Sequence, residues 1–265
     1  MSFGVVAAAL LPAPARAATS STTSTNWAGY AVTRSGVRFR RVSGSWVVPA
    51  ADCSGGNSGY SSTWVGLGGF RTSSRGLEQT GVDADCTPGG RAVYSAWYEL
   101  LPAGAVTVHM GLHAGDRIEA AVTVRGHDVR LTLRNLATGA SFTRTRRMSS
   151  PDLSSAEWIV EAPATCSSSG DCRDLPLSDF GTIAFSRASA TTTAGRSGSV
   201  SSPLWNSTSI TLGQPTRRVG FPASASSGAT PSSLSSSGSS FSVTYQQQAA
   251  TGGGQPVTLP GGGPP

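Results

Sequence analysis

The sequence predicts an all-β protein, folded as a β-sandwich or jelly roll. Only 13% of the 265 residues are charged, and strong helix formers are scarce beside an excess of Ser, Thr, Gly and Ala. Roughly a dozen short segments alternate apolar with polar residues, as half-buried strands do. No stretch of helical period exceeds about two turns. Coiled coils and helical bundles are therefore excluded.

The strand signals follow one another along the chain. Residues 42–48 alternate in character until Pro49 ends the run. Residues 118–124 and 129–133 alternate in the same way on either side of Gly126, which predicts an antiparallel hairpin with one solvated face. Further runs of period two lie at residues 94–100, 141–145, 156–161, 182–185, 207–212 and 241–245. So many short strands in one domain predict two packed sheets.

The two ends of the chain differ from its middle. Residues 1–18 combine an apolar core with the small-x-small pattern Ala15, Arg16, Ala17, which predicts a secretory signal and an extracellular location. The apolar run is about half of the roughly 20 residues that span a bilayer, so we expect no membrane segment in the mature form. Residues 19–246 are predicted to be one domain, in which the Ser/Gly-rich segment 223–240 is a long surface loop. Residues 247–265 are predicted to be a disordered Gly/Pro-rich tail.

The basic character of the chain comes from arginine alone. All 20 basic residues are Arg, and the net charge is +6. Where arginines are close together they alternate with Phe or Thr, as on the solvated face of a strand, so we expect no nucleic-acid partner. Four cysteines, without a CxxC pair, predict two disulfides rather than a metal site.

Several kinds of catalytic site can be weighed from residue types and spacing. No GxSxG nucleophile motif occurs, and His109 and His113 would lie about 13 Å apart on a strand, so we expect no metal and no cofactor. A jelly roll can instead hold two carboxylates that cleave sugars. Glu157 and Glu161 on one strand are about 13 Å apart, where a retaining pair needs about 5 Å, so Glu99 would have to take part. A glycoside hydrolase and a non-catalytic carbohydrate-binding sandwich both remain open on these grounds.

Eight ordered strings resemble the eqolisins, the glutamic peptidases. They are NWAGY (26–30), SWVVP (45–49), WVGLGG (64–69), LEQTGVD (77–83), YSAWYELLP (94–102), NLATG (135–139), AEWIVEAP (156–163) and DFG (179–181). The resemblance covers residues 25–245. It implies a concanavalin A-like sandwich of two curved antiparallel sheets and a secreted, monomeric acid endopeptidase that acts on proteins or peptides.

The resemblance also implies the site. Gln79 of the QTG string and Glu161, the second glutamate of AEWIVE, match the family's catalytic pair, which hydrolyses peptides through an activated water without a covalent intermediate. Trp27, Trp64 and Tyr98 are expected to line the substrate cleft. Asp83 matches an acidic residue near the pair and is expected to hold Gln79 or to bind the substrate backbone.

Two local features accompany this assignment. Cys86 follows Gln79 closely and Cys166 follows Glu161 closely, so we predict the disulfides Cys53–Cys86 and Cys166–Cys172, each bracing a loop near one catalytic residue. Gly68 departs from the family pattern, because similar enzymes carry an aspartate at this position in WVGIDG.

Overall fold

The computed structural model describes residues 19–166, 172–213 and 227–247, with only the backbone at Cys166 and Cys172. Regular structure in these ranges is entirely β, and no helix there is long and apolar enough to cross a bilayer. The strands are β1 (Thr19–Ser24), β2 (Trp27–Thr33), β3 (Phe39–Val47), β4 (Ser62–Gly68), β5 (Leu77–Cys86), β6 (Ala92–Leu100), β7 (Val106–Val108), β8 (Arg117–Arg125), β9 (Asp128–Asn135), β10 (Ser141–Arg147), β11 (Ser155–Glu161), β12 (Ala164–Cys166), β13 (Cys172–Asp174), β14 (Thr182–Thr192), β15 (Ser197–Ser199), β16 (Asn206–Leu212), β17 (Ser227–Pro231) and β18 (Phe241–Gln247). The predicted signal at 1–18 and the predicted tail at 247–265 lie outside the described residues, except that Gln247 ends strand β18.

The strands form the two antiparallel layers that the sequence predicts. One layer, the cleft sheet, has the order β18-β17-β16-β2-β11-β4-β5-β6-β7, and β1 runs parallel to β16 beside it. The other layer, the arginine sheet, has the order β14-β3-β8-β9-β10, with β15 beside β14. The all-β sandwich is therefore confirmed.

The core lies between the two sheets and is built around large aromatic side chains. Trp158 on β11 is fully buried, and its Nε1 donates a hydrogen bond to the carbonyl oxygen of Ser43 on β3 at 2.8 Å. A Cβ at Gly44 would lie only 2.9 Å from the Trp158 ring, so the missing side chain at Gly44 makes room for the indole. This contact fixes how closely the two sheets pack.

Strand β14 belongs to both sheets. Its first residues, from Thr182 to Phe185, pair with β18 in the cleft sheet, whereas from Ser186 onward it pairs with β3 in the arginine sheet. The register shifts between Ser186 and Ser189, and Arg187 within this bulge has a φ of 55°. A bulge bends a strand, and here it carries the chain from one layer into the other.

One predicted loop contains a strand. Within 223–240, which the structure describes from residue 227, Ser227–Pro231 forms β17 between β16 and β18. A Cβ at Gly228 would lie 2.7 Å from the carbonyl oxygen of Leu212, so this pairing needs glycine for close approach. The prediction of an uninterrupted loop is wrong because small residues without alternation give no strand signal.

The structure contains one of the two predicted disulfides. Cys53 and Cys86 are bonded, with their Cα atoms 5.3 Å apart, and they join the segment before β4 to the end of β5. The backbones of Cys166 and Cys172 are paired opposite each other in the β12–β13 hairpin. The side chains of that second predicted pair lie outside the described residues.

Candidate active site

The outer face of the cleft sheet, turned away from the arginine sheet, carries a small apolar cluster of its own. Its buried members are Ala31, Trp64, Leu77, Trp97, Ile159 and Ile210, with Trp27 and Phe70 packed against them. Because strand side chains alternate, this face also receives Gln79 from β5, Glu99 from β6 and Glu161 from the end of β11. One amide and two carboxyl groups thus lie on an otherwise apolar surface.

Gln79, Glu99 and Glu161 line one cavity of about 550 Å³. Asn26 and Trp27 complete the wall around Glu161, and Gly69, Phe70 and Thr72 also line the cavity. The described residues that line this cavity include no arginine, lysine or histidine. The structure therefore brings together the two predicted catalytic residues, with a second carboxyl group beside them.

Two nitrogen donors hold the Glu161 carboxyl group. The indole Nε1 of Trp64 donates to its Oε2 at 2.7 Å, and the amide Nδ2 of Asn26 donates to its Oε1 at 3.0 Å. Removal from solvent raises the pKa of Glu161 to about 7, with the nearby charge of Glu99 adding to the rise and the hydrogen bonds opposing it. This carboxyl group is therefore oriented and, in acid medium, protonated.

Gln79 is oriented by the second carboxyl group. Its Nε2 donates to Oε2 of Glu99 at 2.6 Å, and the two residues lie directly opposite each other in the β5–β6 register. Burial raises the pKa of Glu99, although this hydrogen bond counteracts the rise. Since an amide nitrogen carries two hydrogens, Gln79 keeps one N–H for another acceptor.

Two indoles join the Glu161 end of the cleft to the Gln79 end. Trp64 is fully buried and makes an edge contact with Trp27, with ring centroids 5.0 Å apart. A Cβ at Gly66 would lie 2.9 Å from Cζ3 of Trp64 and 3.3 Å from Cβ of Gln79, so Gly66 leaves space for the indole. Trp27 lines the cavity, whereas Trp64 acts beneath the surface by holding Glu161.

Asp83 does not contact Gln79. It lies on β5 in one cross-strand row with Ser62 and Ser95, whose hydroxyl groups donate to its carboxylate at 2.5 and 2.7 Å. It lies four positions from Gln79 along an extended strand, about 13 Å away. Of the two roles expected of Asp83, that of holding Gln79 is filled by Glu99, and Asp83 does not line the cavity where it was expected to bind the substrate backbone.

Tyr98 is not in the cleft. Its neighbour Glu99 faces the cleft, so Tyr98 faces the core between the sheets, where it stacks on Phe142 with ring centroids 5.7 Å apart. The prediction that Tyr98 lines the cleft is therefore wrong, because alternation along β6 turns it to the opposite face. Asn26 is the contact that the sequence analysis missed, although it begins the NWAGY string and is next to Trp27.

Glu157, the other glutamate of β11, is sealed from solvent. It is fully buried, and neither carboxylate oxygen has a hydrogen-bond partner among the described residues. Burial holds its pKa well above the usual range and so favours the protonated form. It does not line the cavity.

The departure at Gly68 has a structural counterpart. Gly68 has a φ of 80°, and a Cβ there would lie 2.6 Å from the Cβ of Asp152. The Asp152 carboxylate accepts hydrogen bonds from the Ser74 hydroxyl and from the Ser154 amide. Thus Asp152, from the segment before β11, places an acidic group next to the position where similar enzymes carry an aspartate.

In the described part of the chain, no three His, Cys, Asp or Glu residues are grouped so that they could hold a metal ion.

Comparisons with known proteins agree with this geometry. The sequence profile of the Peptidase A4 family matches residues 25–248. The chain is similar to scytalido-glutamic peptidase, solved with a transition state analog inhibitor, at 28% identity and a TM-score of 0.67, over 84% of this chain and 98% of that one. No curated protein sequence gives a significant match.

Two further solved structures are similar to this chain. SCP-B, described as a member of the Eqolisin family in complex with the tripeptide Ala-Ile-His, is 28% identical with a TM-score of 0.58, over 84% of this chain and 98% of that one. The aspergilloglutamic peptidase from Aspergillus niger is 30% identical with a TM-score of 0.51, over 71% of this chain and 99% of that one.

Proposed function

The chain belongs to the Peptidase A4 family and is a glutamic endopeptidase, and from this premise we propose that Glu161 and Gln79 hydrolyse peptide bonds together, through one water molecule. The enzyme we propose is secreted, works in acid medium as a monomer, and takes proteins or peptides as substrates. It needs no metal and no covalent intermediate.

One observation carries the proposal. A carboxyl group with a pKa raised to about 7 shares a cavity with an oriented amide donor, on an apolar floor without basic side chains among the described lining residues. Such a pair supplies proton transfer and stabilisation of a developing oxyanion, which peptide hydrolysis needs when neither a metal nor a covalent intermediate takes part.

In the first step, water adds to the scissile carbonyl carbon. One oxygen of the protonated Glu161 carboxyl group accepts a proton from the water as the carbon–oxygen bond forms. The proton on the other oxygen passes to the carbonyl oxygen of the substrate, so the carboxyl group ends the step with as many protons as before. An N–H of Gln79 donates to the carbonyl oxygen while negative charge develops on it.

In the second step, the carbon–nitrogen bond breaks. Glu161 donates its proton to the leaving nitrogen and accepts one from a hydroxyl group of the tetrahedral intermediate. The products are a carboxylic acid and a free amine, and Glu161 again holds one proton. Trp64 and Asn26 keep the two carboxyl oxygens in place throughout.

This scheme sets the pH dependence. The active form of Glu161 is protonated, so kcat/KM for a peptide without ionisable side chains is expected to fall as the pH rises through about 7. A rate that instead increased up to that pH would mean that the ionised carboxylate starts the reaction, and would reject the scheme.

The direct test is Glu161→Gln, with Glu157→Gln as a matched control on the same strand. Glu161→Gln removes the proton carrier but keeps the shape, so we expect cleavage of acid-denatured protein to fall at least about 1000-fold. Glu157→Gln changes a buried group that does not line the cavity and should keep substantial turnover. If Glu161→Gln cleaved near the parent rate, or if Glu157 were the indispensable residue, the assignment would be wrong. Circular dichroism of both variants checks that they fold.

A further inference from the structure

A second and larger cavity, of about 1250 Å³, lies beside the cleft. Two segments separate the two spaces. In residues 69–77, Phe70, Thr72 and Leu77 line the cleft, whereas Arg71 and the residues from Ser73 to Gly76 line the second cavity. Leu101, in the turn after β6, lines both. The two cavities therefore adjoin at Leu101.

Arginines surround this second cavity, which we call the arginine groove. They come from three separate parts of the chain, and they are Arg34, Arg38, Arg71, Arg75, Arg146 and Arg147. Asp152 is the single acidic residue that lines the groove in the described structure, and its carboxylate is already engaged by Ser74 and Ser154. The groove therefore carries a large excess of positive charge.

Most of these guanidinium groups lack a partner of opposite charge. Arg147 is 4.0 Å from Asp128, and Arg34 donates to the carbonyl oxygens of Pro203 and Leu204. The other four, Arg38, Arg71, Arg75 and Arg146, form no ion pair with any residue that the structure describes. By contrast, Arg134 and Arg187 elsewhere on the arginine sheet share the carboxylate of Glu119.

The groove also has an apolar component. Half-buried Val37, Met148 and Leu153 line it between the arginines. A ligand with carboxylates and apolar side chains along an extended chain matches this surface, because arginine pairs with carboxylates through two parallel hydrogen bonds. An acidic polypeptide has that chemistry.

We propose that the arginine groove binds an acidic segment of the polypeptide substrate whose scissile bond lies in the cleft. This inference rests on the peptidase function, and it adds a preference to it. The wall that the two cavities share at Leu101 and the excess of unpaired arginine together favour a flanking part of the same substrate over a separate ligand. Substrates with acidic residues a short distance from the cleaved bond are then cleaved faster than neutral ones.

The test uses peptides with one cleavable core and two kinds of flank. One flank is rich in Asp and Glu and the other has Asn and Gln at the same positions, with each flank made on the amino and on the carboxyl side. At about pH 5, where exposed Asp and Glu are mostly ionised, and at low salt, we expect kcat/KM to be about tenfold higher for the acidic peptide on one side. A fourfold variant should lose this preference, so that its kcat/KM is about the same for the acidic and the neutral peptide. Its changes are Arg38→Gln, Arg71→Gln, Arg75→Gln and Arg146→Gln.

A matched variant removes the same number of charges elsewhere. Arg41, Arg125, Arg130 and Arg134 line a separate pocket on the outer face of the arginine sheet. The fourfold change of these residues to Gln should keep both the rate on the neutral peptide and the preference for the acidic one. If it lost the preference equally, net charge rather than the groove would be the cause, and the proposal would fail.

Two further outcomes separate the groove from the catalytic assignment. Equal cleavage of acidic and neutral peptides by the parent enzyme rejects the groove and leaves the peptidase function intact. If no peptide is cleaved, the anisotropy of a labelled acidic peptide with the Glu161→Gln variant still decides, because the four groove changes should raise its Kd about tenfold. An unchanged Kd, or tighter binding of a single-stranded oligonucleotide through the same arginines, overturns the proposal.

Discussion

The two sheets of the sandwich differ in the charges that they carry. The five strands β2, β11, β4, β5 and β6 of the cleft sheet have no arginine but six carboxyl groups, on Glu78, Asp83, Asp85, Glu99, Glu157 and Glu161. In the arginine sheet, β3, β8, β9, β10 and β14 carry ten arginines and only Glu119 and Asp128 as acids. The charges of the two sheets are thus segregated by sign.

The difference between the sheets is also one of solvation. Arginines of the arginine sheet are exposed, as in the ion pair of Arg187 with Glu119 at 2.5 Å, and such surface pairs contribute little to stability. Burial in the cleft sheet raises the pKa of Glu78 to about 8 and that of Asp85 to about 7. Acid medium neutralises the buried carboxyl groups and leaves the arginines charged. Burial thus raises the pKa of Glu161 for catalysis, and it also leaves the fold without buried carboxylate charges in acid medium.

The largest effect that separates the two sheets is expected at Gln79. Gln79→Ala removes an oxyanion donor from the cleft, so kcat should fall roughly 100- to 1000-fold, measured on a chromogenic peptide. Arg130→Gln on the arginine sheet is the comparison and should leave kcat unchanged.

The double variant sharpens this test. Glu161 and Gln79 serve the same step, so Glu161→Gln/Gln79→Ala should be little slower than Glu161→Gln alone. Losses that multiplied fully would show that the two residues act on different steps.

The next effect concerns stability and pH. In the folded protein Glu78 and Asp85 hold protons up to about pH 8 and 7, whereas in the unfolded chain they release them near their ordinary values. Their stabilising contribution is complete below the unfolded pKa and is lost as the pH rises toward the folded pKa. We expect Tm, measured by circular dichroism, to fall by at least about 10 °C between pH 4 and pH 8.

Paired variants assign this effect to one sheet. Glu78→Gln cannot ionise, so its Tm should depend less on pH than that of the parent protein. Glu119→Gln, which removes the two surface ion pairs with Arg134 and Arg187, should lower stability by only about 1 kcal/mol and leave the pH dependence unchanged. A flat Tm in the parent protein over this range would contradict the account of the buried carboxyl groups.

The smallest effect is expected at Glu99. Glu99→Leu removes the acceptor that orients Gln79, so kcat should fall about tenfold with little change in KM. Glu99→Gln offers an amide oxygen to the same N–H and should keep most of the activity. If Glu99→Gln were as slow as Glu99→Leu, the proton of Glu99 would itself take part in the reaction.

The strands were predictable from the sequence wherever one face is buried and the other solvated. The hairpin of β8 and β9 shows this, because its alternation survives in the buried and exposed positions of the structure. Strand β17 gave no such signal, since Gly228 is needed for close approach of the backbone of β16 and adds no contrast between the two faces. Contacts of that kind depend on tertiary neighbours that a local pattern does not contain.

The residues of the candidate site were predictable where they belong to a recognisable motif string. Gln79 and Glu161 follow from short strings, and the structure places both in one cavity. Tyr98 was misplaced and the link of Glu99 to Gln79 was missed for the same reason, because both depend on which face of β6 meets the cleft. The β5–β6 register decides that face, and register is a property of the folded sheet.

The bulged strand β14 has a consequence for how the molecule comes apart. The first half of β14 is hydrogen-bonded to β18 and its second half to β3. Neither sheet can therefore unfold without breaking hydrogen bonds that β14 makes in the other sheet. The sandwich is therefore one cooperative unit rather than two independently stable plates, and calorimetry should record a single transition whose van't Hoff and calorimetric enthalpies agree.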